Sequence, residues 1–499
     1  MNNIKAFQLY SFILPIIILL LQNVEAQEIV FDNTYGFADY SAGKSIVQLS
    51  DSGYAFMGST GFAEGNSQLL FVRLDKNGVP LHFRQTADAD KLYDGRMMRI
   101  AANGDYLVTG TLRDGTQPYA PFCMRIDTSF NIIWNTVVPA NDWAFGNSLI
   151  ELPDGSIAVA GETYDTDSTG ADALFLRFSP NGDLMAKRAS GLPGNDGYNS
   201  LETIDSASLL VAGFRKSTVS SDTVPFFASI DFDGNVTNLR SFEEYKTKAV
   251  VNHAIMDSRR NIVCVGYTMM YDTLGYSDFF MTTFDTAGNY IADLYVDLPM
   301  WAGADDLYKS VGVTPEGNIF AAGTCAGNNY LQPSILVHLL DKDYNWEDGT
   351  VRTGHDVKKS DVLSQLVTTS DGGCIMIGTT TDLGSHIADI FIFKLGQKPS
   401  DESPIQHYLP VEHFDNEPDF EIYPNPVSNF AHISWKEAPQ GKTQISVYDM
   451  AAHKLLSLEH DFSIAPDLTL HLPDIPYGNY ILGIQNGRSE SFRKIVITH

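Results

Sequence analysis

The stretch Ser148–Ser190, SLIELPDGSIAVAGETYDTDSTGADALFLRFSPNGDLMAKRAS, decides the fold. It reads as four short strands separated by turns. Ser148–Leu152 is the first strand, a, and Pro153-Asp154-Gly155 turns the chain. Ser156–Gly161 is strand b and ends on a glycine. A polar loop leads to strand c, Ala173–Phe178, and Ser179-Pro180-Asn181-Gly182 turns again into strand d, Asp183–Ala189. Each run is short, rich in Val, Ile, Leu or Phe, and bounded by turn residues, which is the pattern of strands joined as hairpins.

The same unit recurs seven times. The glycine that ends strand b falls at Gly58, Gly110, Gly161, Gly213, Gly266, Gly323 and Gly378, at intervals of 52, 51, 52, 53, 57 and 55. Four strands per unit at a period near fifty residues point to β-propeller blades rather than a helical solenoid. The b strands, YAFMG, YLVTG, IAVAG, LLVAG, IVCVG, IFAAG and CIMIG, are apolar at nearly every position. That suits a strand covered on both faces by neighbouring blades. The a–b turns repeat as Asp51-Ser52-Gly53, Asn103-Gly104-Asp105, Asp154-Gly155-Ser156, Glu316-Gly317-Asn318 and Asp371-Gly372-Gly373. The c–d turns repeat as Asp75-Lys76-Asn77-Gly78 and its relatives. Two copies, around Asp127 and Asp341, lack the glycine, and Asn131 and Asn345 are expected to take its left-handed conformation.

The seventh repeat stops at its strand c, Phe391–Leu395. The chain meanwhile opens with Glu28–Thr34 (EIVFDNT), which resembles the d strands NIIWNTV and LHFRQT. The N-terminal strand is therefore expected to complete the last blade and close the ring, which leaves no open sheet edge. The expectation is an all-β chain: a seven-bladed propeller over 27–397, a linker over 398–419 and a small β-sandwich over 420–499. The linker, KPSDESPIQHYLPVEHFDNEPD, has four prolines and no period. The sandwich has short strands at Ala431–Trp435, Gln444–Tyr448, Leu468–Leu472, Asn479–Gln485 and Phe492–Ile497.

Residues 1–26 read as a signal peptide. Lys5 precedes the apolar run Phe12–Leu21, and Val24-Glu25-Ala26 gives a small-x-small cleavage site. The run is short and broken by Pro15, so it is not expected to span a membrane, and no later run is long and apolar enough to do so. The 499 residues carry 61 Asp and Glu against 33 Lys and Arg, a net charge of −28. That field repels phosphate backbones and excludes nucleic acid as a partner. Cys123, Cys264, Cys325 and Cys374 sit in or beside strands and read as free buried thiols, with Cys325–Cys374 the one pair worth testing as a disulfide.

The last eighty or so residues carry a more specific pattern. Tyr423-Pro424-Asn425-Pro426 stands at the entrance and Val447-Tyr448-Asp449 in the middle. Leu472-Pro473, Tyr477-Gly478-Asn479-Tyr480 and Arg493-Lys494-Ile495-Val496-Ile497 follow. This segment resembles the type A C-terminal sorting domain of type IX secretion cargo, with Thr498-His499 as a departure at the end. The resemblance implies a Gram-negative cell and a translocon in its outer membrane that reads Pro424, Asn425, Pro426, Gly478, Tyr480 and Lys494. It also implies a protein that passes the periplasm and is released or held at the surface, with or without its sorting domain. The upstream repeats resemble the propeller repeats of such exoproteins, which imply no particular activity.

Chemistry is sparse. There is no H-E-x-x-H, G-x-S-x-G, Walker A or G-x-G-x-x-G, so no catalytic residue is assigned. Of the twelve histidines, His407, His413, His432, His453, His460 and His471 lie in the linker and sandwich, away from any propeller site, and His253, His355 and His386 read as polar loop residues. Asp165, Asp167 and Thr169 space oxygen atoms as calcium loops do. Thr169 departs from D-x-D-x-D-G, however, and Asp172 recurs as Asp278 and Asp389 at the head of strand c, which points to a structural role. No other cofactor is implied. The d–a loops gather aromatics and acids, with Trp143, Tyr198, Trp301, Asp305 and Tyr308 as candidate ligand contacts on one face. Such a face suits a glycan or a protein. A monomeric, secreted or surface-displayed binding scaffold is expected. A polysaccharide hydrolase or lyase is the alternative, and it needs two facing carboxylates in one pocket.

Overall fold

The computed structural model describes residues 29–397 except 38–39, 62–66, 87–90, 165–169, 192–193, 221, 244–247, 270–276, 297–305, 326–332, 353–358 and 383–387. It also describes 420–497 except 424–426, 428–429, 436–441, 449–453, 463–467, 473–474, 476–477 and 487–488. The chain divides into two compact units, Met1–Ile405 and Gln406–His499. Among the described residues the first unit is seven four-stranded antiparallel sheets. The quoted stretch is the third, with strands Ala144–Glu151, Ile157–Thr163, Asp172–Phe178 and Leu184–Ser190 in spatial order a-b-c-d. Each a strand lies against the a strands of both neighbouring blades, so the a strands are innermost and the sheets close into a ring.

Burial follows from that geometry. The b strand Ile157–Thr163 is buried almost throughout, whereas the outer strand Leu184–Ser190 is exposed almost throughout. Seven apolar cores lie between blades, one at each junction. One joins Met57, Leu69 and Phe71 of blade 1 to Tyr106, Phe122 and Met124 of blade 2. A blade therefore buries its apolar faces only against its neighbours, as in other repeat architectures. The cysteines sit at separate junctions: Cys123 between blades 2 and 3, Cys264 between 4 and 5, Cys325 between 5 and 6, Cys374 between 6 and 7. All four are free and buried, and Cys325 does not pair with Cys374.

Strand a carries the same irregularity in every blade. One residue bulges out of the a–b ladder: Lys44, Arg96, Asn147, Asn199, Asn252, Lys309 and Ser364. A bulge bends its strand and re-aims a side chain. It also drives the carbonyl two residues upstream over the b-strand glycine. A Cβ on Gly161 would lie 1.9 Å from the Phe145 oxygen, and one on Gly323 1.9 Å from the Leu307 oxygen. The repeated glycine is thus the one residue that fits beneath the bulge.

The c–d turns bring a correction. The left-handed position is held by Phe130 (φ 61°) and Tyr344 (φ 65°), not by the following asparagines. Asn131 is fixed instead by Asp127, whose Oδ1 accepts the Asn131 N–H at 2.8 Å and whose Oδ2 accepts its Nδ2–H at 2.8 Å. Phe130 offsets its strained backbone by packing its buried ring against Phe71 and Tyr106.

The ring closes as expected. Ile29–Tyr35 pairs antiparallel with Ala388–Leu395, from Ile29 opposite Leu395 to Tyr35 opposite Ile390. Tyr35 is buried in the core between blades 7 and 1, and its hydroxyl donates to the Gly78 carbonyl at 2.6 Å. The second unit is a β-sandwich. A sheet of Phe420–Tyr423, Phe430–Trp435 and Leu468–His471 faces one of Lys454–Asp461, Lys442–Tyr448, Gly478–Asn486 and Ser489–Ile497. Val427, Ile433, Ile445, Val447, Leu482 and Ile495 fill its core. Removal of residues 29–35 strips the closing strand and exposes the edge of Ala388–Leu395. Differential scanning calorimetry is expected to show Tm lower by about 10 °C or more, whereas an unchanged Tm contradicts the closure.

Candidate functional site

The face formed by the d–a and b–c loops holds part of the expected aromatic set. Trp143 is 53% exposed. Its loop is fixed on both sides: its N–H donates to Asp142 Oδ1 at 2.8 Å, and its carbonyl accepts the Tyr164 N–H at 2.7 Å. Tyr119 meets the Trp143 ring edge-on at 5.8 Å and stacks on Phe145 at 6.1 Å. The Arg113 guanidinium lies 5.5 Å from the Tyr119 centroid. Tyr164 is 37% exposed beside them. Trp143, Tyr119 and Tyr164 thus form an open aromatic platform with a carboxylate at its edge.

Two other candidates turn inward. Tyr198 is buried between blades 3 and 4, against Phe226. Tyr308 is fully buried between blades 5 and 6, where it packs on Phe279 and hydrogen-bonds His338. Both sit opposite the b-strand glycine, Tyr198 facing Gly213 and Tyr308 facing Gly323, and their rings pack into the junction cores. Neither presents a ring to the face. The acids beside them, Asp196 and Asp306, are buried as well, and their N–H groups donate to Ala171 O and Ser277 O of the preceding blades. Trp301, Asp305, His355 and His386 lie outside the described residues, as do Asp165, Asp167 and Thr169 of the candidate calcium loop.

A second arrangement, unread in the sequence, lines the centre of the ring. The bulge residues stand on one level. Asn147 Nδ2 donates to the Tyr198 carbonyl at 3.1 Å, Asn199 Nδ2 to Val251 O at 2.9 Å, and Asn252 Nδ2 to Tyr308 O at 2.6 Å. Ser364 Oγ does the same to Gly43 O at 2.6 Å. Each contact ties one blade to the next. The residues after the bulge make a second tier. Ser200 Oγ donates to Ala254 O at 3.1 Å, and Ser310 Oγ to Leu366 O at 3.1 Å. Gln365 Oε1 accepts the Ile46 N–H at 2.8 Å, and His253 Nδ1 accepts the Val311 N–H at 3.1 Å. His253 is thus a strand residue joining two blades, not a polar loop residue.

Three bulge positions carry cations instead of amides or hydroxyls: Lys44, Arg96 and Lys309. Lys44 Nζ lies 2.9 Å from Asp94 Oδ1, and an Arg96 amino nitrogen lies 2.9 Å from Asp94 Oδ2. Burial, then the nearby charges of Arg96 and Lys44, push the Lys309 ammonium down to about 8. Glu162 follows the b glycine of blade 3. Burial raises its carboxyl and Arg96 pulls it back. At the a–b end of the channel Arg99 of blade 2 pairs with Glu202 of blade 4. Aligning the repeats on the b glycine would have exposed this level, because three cations, three asparagines and a serine all stand fourteen residues before it.

In the second unit Tyr480 is 7% exposed and belongs to the core, so it supports the sandwich from within. Gly478 opens the strand Gly478–Asn486 opposite Ile497, and Lys494 pairs with Ile481. Pro424, Asn425 and Pro426 lie outside the described residues.

Comparison with known proteins separates the two units. Residues 421–498 match the family described as the secretion system C-terminal sorting domain. The chain is therefore type IX secretion cargo, and this tail directs it to the cell surface or the extracellular space. A search of curated proteins finds no match. Among solved structures, the extracellular domain of a hybrid two-component system from B. thetaiotaomicron is 10% identical with a TM-score of 0.41. That match covers 93% of this chain and only 57% of the other. The WD40 domain of Neurospora crassa Pan2 is 12% identical over 76% of this chain and 97% of its own, with a TM-score of 0.44. Drosophila Plexin A, in complex with Semaphorin 1b, is 10% identical over 74% of this chain and 88% of its own, with a TM-score of 0.43. At these scores none of them bears on what this chain binds. Among the described residues no helix is long and apolar enough to cross a membrane, and no three metal-ligating side chains converge.

The second tier gives a pH dependence. Burial holds His253 down at about 4, against 6.5 for the free side chain. The unfolded chain therefore takes the proton first, and stability falls as pH drops from about 6.5 toward 4. Since His253 keeps some solvent contact, the penalty is put at about 2 kcal/mol. Gln365 makes the same contact in blade 7 with an amide oxygen. His253→Gln is therefore expected to match wild type near pH 7.5 in urea unfolding and to lose less stability by pH 4. Parallel pH profiles contradict this role.

Proposed function

We propose that this type IX cargo protein is a secreted or surface-displayed binding scaffold whose propeller docks an extracellular glycan on the platform around Trp143. The carrying observation is the half-exposed indole of Trp143, held on a hydrogen-bonded loop and backed by Tyr119. An exposed aromatic ring that does no work in the core offers an apolar face to the C–H side of a sugar. Asp142 at its edge can accept sugar hydroxyls. A rigid platform of this kind binds without large loop ordering, which favours affinity. The signal peptide over 1–26 is part of the proposal, as the entry to the export route that the sorting domain completes.

The alternative, turnover of polysaccharide, rests on Glu162, whose carboxyl is raised by burial. The scaffold reading expects binding without chain cleavage. On a glycan array, Trp143→Ala is expected to weaken binding by about tenfold or more while Tm stays near wild type, since the ring lies outside the core. Binding unchanged by this substitution removes the platform from the account. Release of reducing ends that is lost in Glu162→Gln replaces the scaffold with an enzyme.

A further inference from the structure

We propose that the channel of the propeller is an oxyanion site, in which Lys309, Arg96 and Lys44 hold a carboxylate or phosphate group of a small ligand. The inference stands apart from the glycan platform, because it uses other residues and another part of the ring.

The bulge explains why these side chains meet. Seven bulges place seven side chains on one level of the channel, and four of them spend their polar atoms on the next blade's carbonyl. The other three are cations from blades 1, 2 and 6. Lys44 and Arg96 converge on one carboxylate, Asp94. Among the described residues no hydrogen bond or ion pair engages the Lys309 ammonium, which stays accessible along the channel while the surrounding protein walls desolvate it and both other cations act on it. In a chain with 61 acidic against 33 basic residues, three of seven positions on this level are basic. Asp94 offsets part of the charge of Lys44 and Arg96 but leaves Lys309 without a counter-ion among the described residues, and like charges held together in a protein-walled channel repel, so an added anion is favoured there. Arg presents a planar fork that suits carboxylate and phosphate oxygens alike, and Lys adds a point charge.

The channel is also directional. The cations stand at the bulge, three residues before the level of Arg99 and Glu202 in strand a, so they lie nearer the d–a loops and that pair nearer the a–b turns. A ligand would therefore enter from the d–a face. Burial, Arg96 and Lys44 set the pH response of Lys309, with Asp94 and Glu162 beside those two cations and His253 on the neighbouring strand. Lys309 must be protonated to hold an anion, so binding is expected below about pH 8 and to weaken above it.

The test uses the full mature chain, with glucuronate and inorganic phosphate as separate probes and glucose as the neutral control. At about 10 mM, either oxyanion is expected to raise Tm by about 2 °C or more at pH 7, and glucose to leave it unchanged. A response to glucuronate alone identifies an organic carboxylate, and one to phosphate a phosphoryl group. Both support the site. Lys309→Met is expected to abolish the shift and, without probe, to leave Tm equal to or above wild type, because it removes an uncompensated cation. Trp143→Ala is expected to keep the shift, which separates this site from the platform. The proposal is overturned if neither oxyanion shifts Tm, if Lys309→Met keeps the shift, or if that variant alone melts several degrees lower, which marks Lys309 as a structural counter-ion.

Discussion

The contact on which the propeller depends is the one between a bulged strand and the glycine beneath it. In each blade the innermost strand gains one residue, and its carbonyl swings over strand b. Only a residue without a Cβ fits there, so the glycine recurs at each turn of the repeat. The same bulge turns a side chain into the channel, where it reaches the next blade. One backbone irregularity thus shapes the blade, joins it to its neighbour and lines the channel.

Stability and binding draw on the same positions. The seven junction cores supply the apolar burial, since no blade can bury its faces alone. Inside them the two tiers of contacts fix the angular register, because each donor must reach a set carbonyl in the next strand a. Where an asparagine gives way to a cation the channel gains a charge, and at Lys44 the link to the next blade is an ion pair with Asp94. Lys309 is the clearest case, pushed down by burial and by two cations on its own level. The outer d strands, by contrast, leave Leu81, Phe83 and Met185 exposed.

Much of this was legible in the sequence because it is periodic. The b glycines, the Asp-led turns and the closing strand are local patterns repeated about every fifty residues, and repetition separates them from chance. The sorting domain was legible for another reason, a run of short motifs in a fixed order. The bulge was hidden because it is a matter of pairing register, which no single strand displays. Tyr198 and Tyr308 were misread for the same cause: beside acids they look like loop aromatics, yet their place opposite a glycine turns them into the core. Phe130 and Tyr344 show a similar limit. Their left-handed backbone is set by the Asp127 and Asp341 carboxylates gripping the following asparagine, and by a junction that needs a ring.

The bulge account is tested most directly by urea unfolding of seven single variants: Gly58→Ala, Gly110→Ala, Gly161→Ala, Gly213→Ala, Gly266→Ala, Gly323→Ala and Gly378→Ala. Each added Cβ meets a carbonyl oxygen, at 1.9 Å in Gly161, Gly266 and Gly323 but at 2.8 Å in Gly58. The account predicts losses of about 2 kcal/mol or more at the three closest sites, with Gly58→Ala the mildest. Losses within about 0.5 kcal/mol at those three sites, the range of an ordinary surface change, would contradict it.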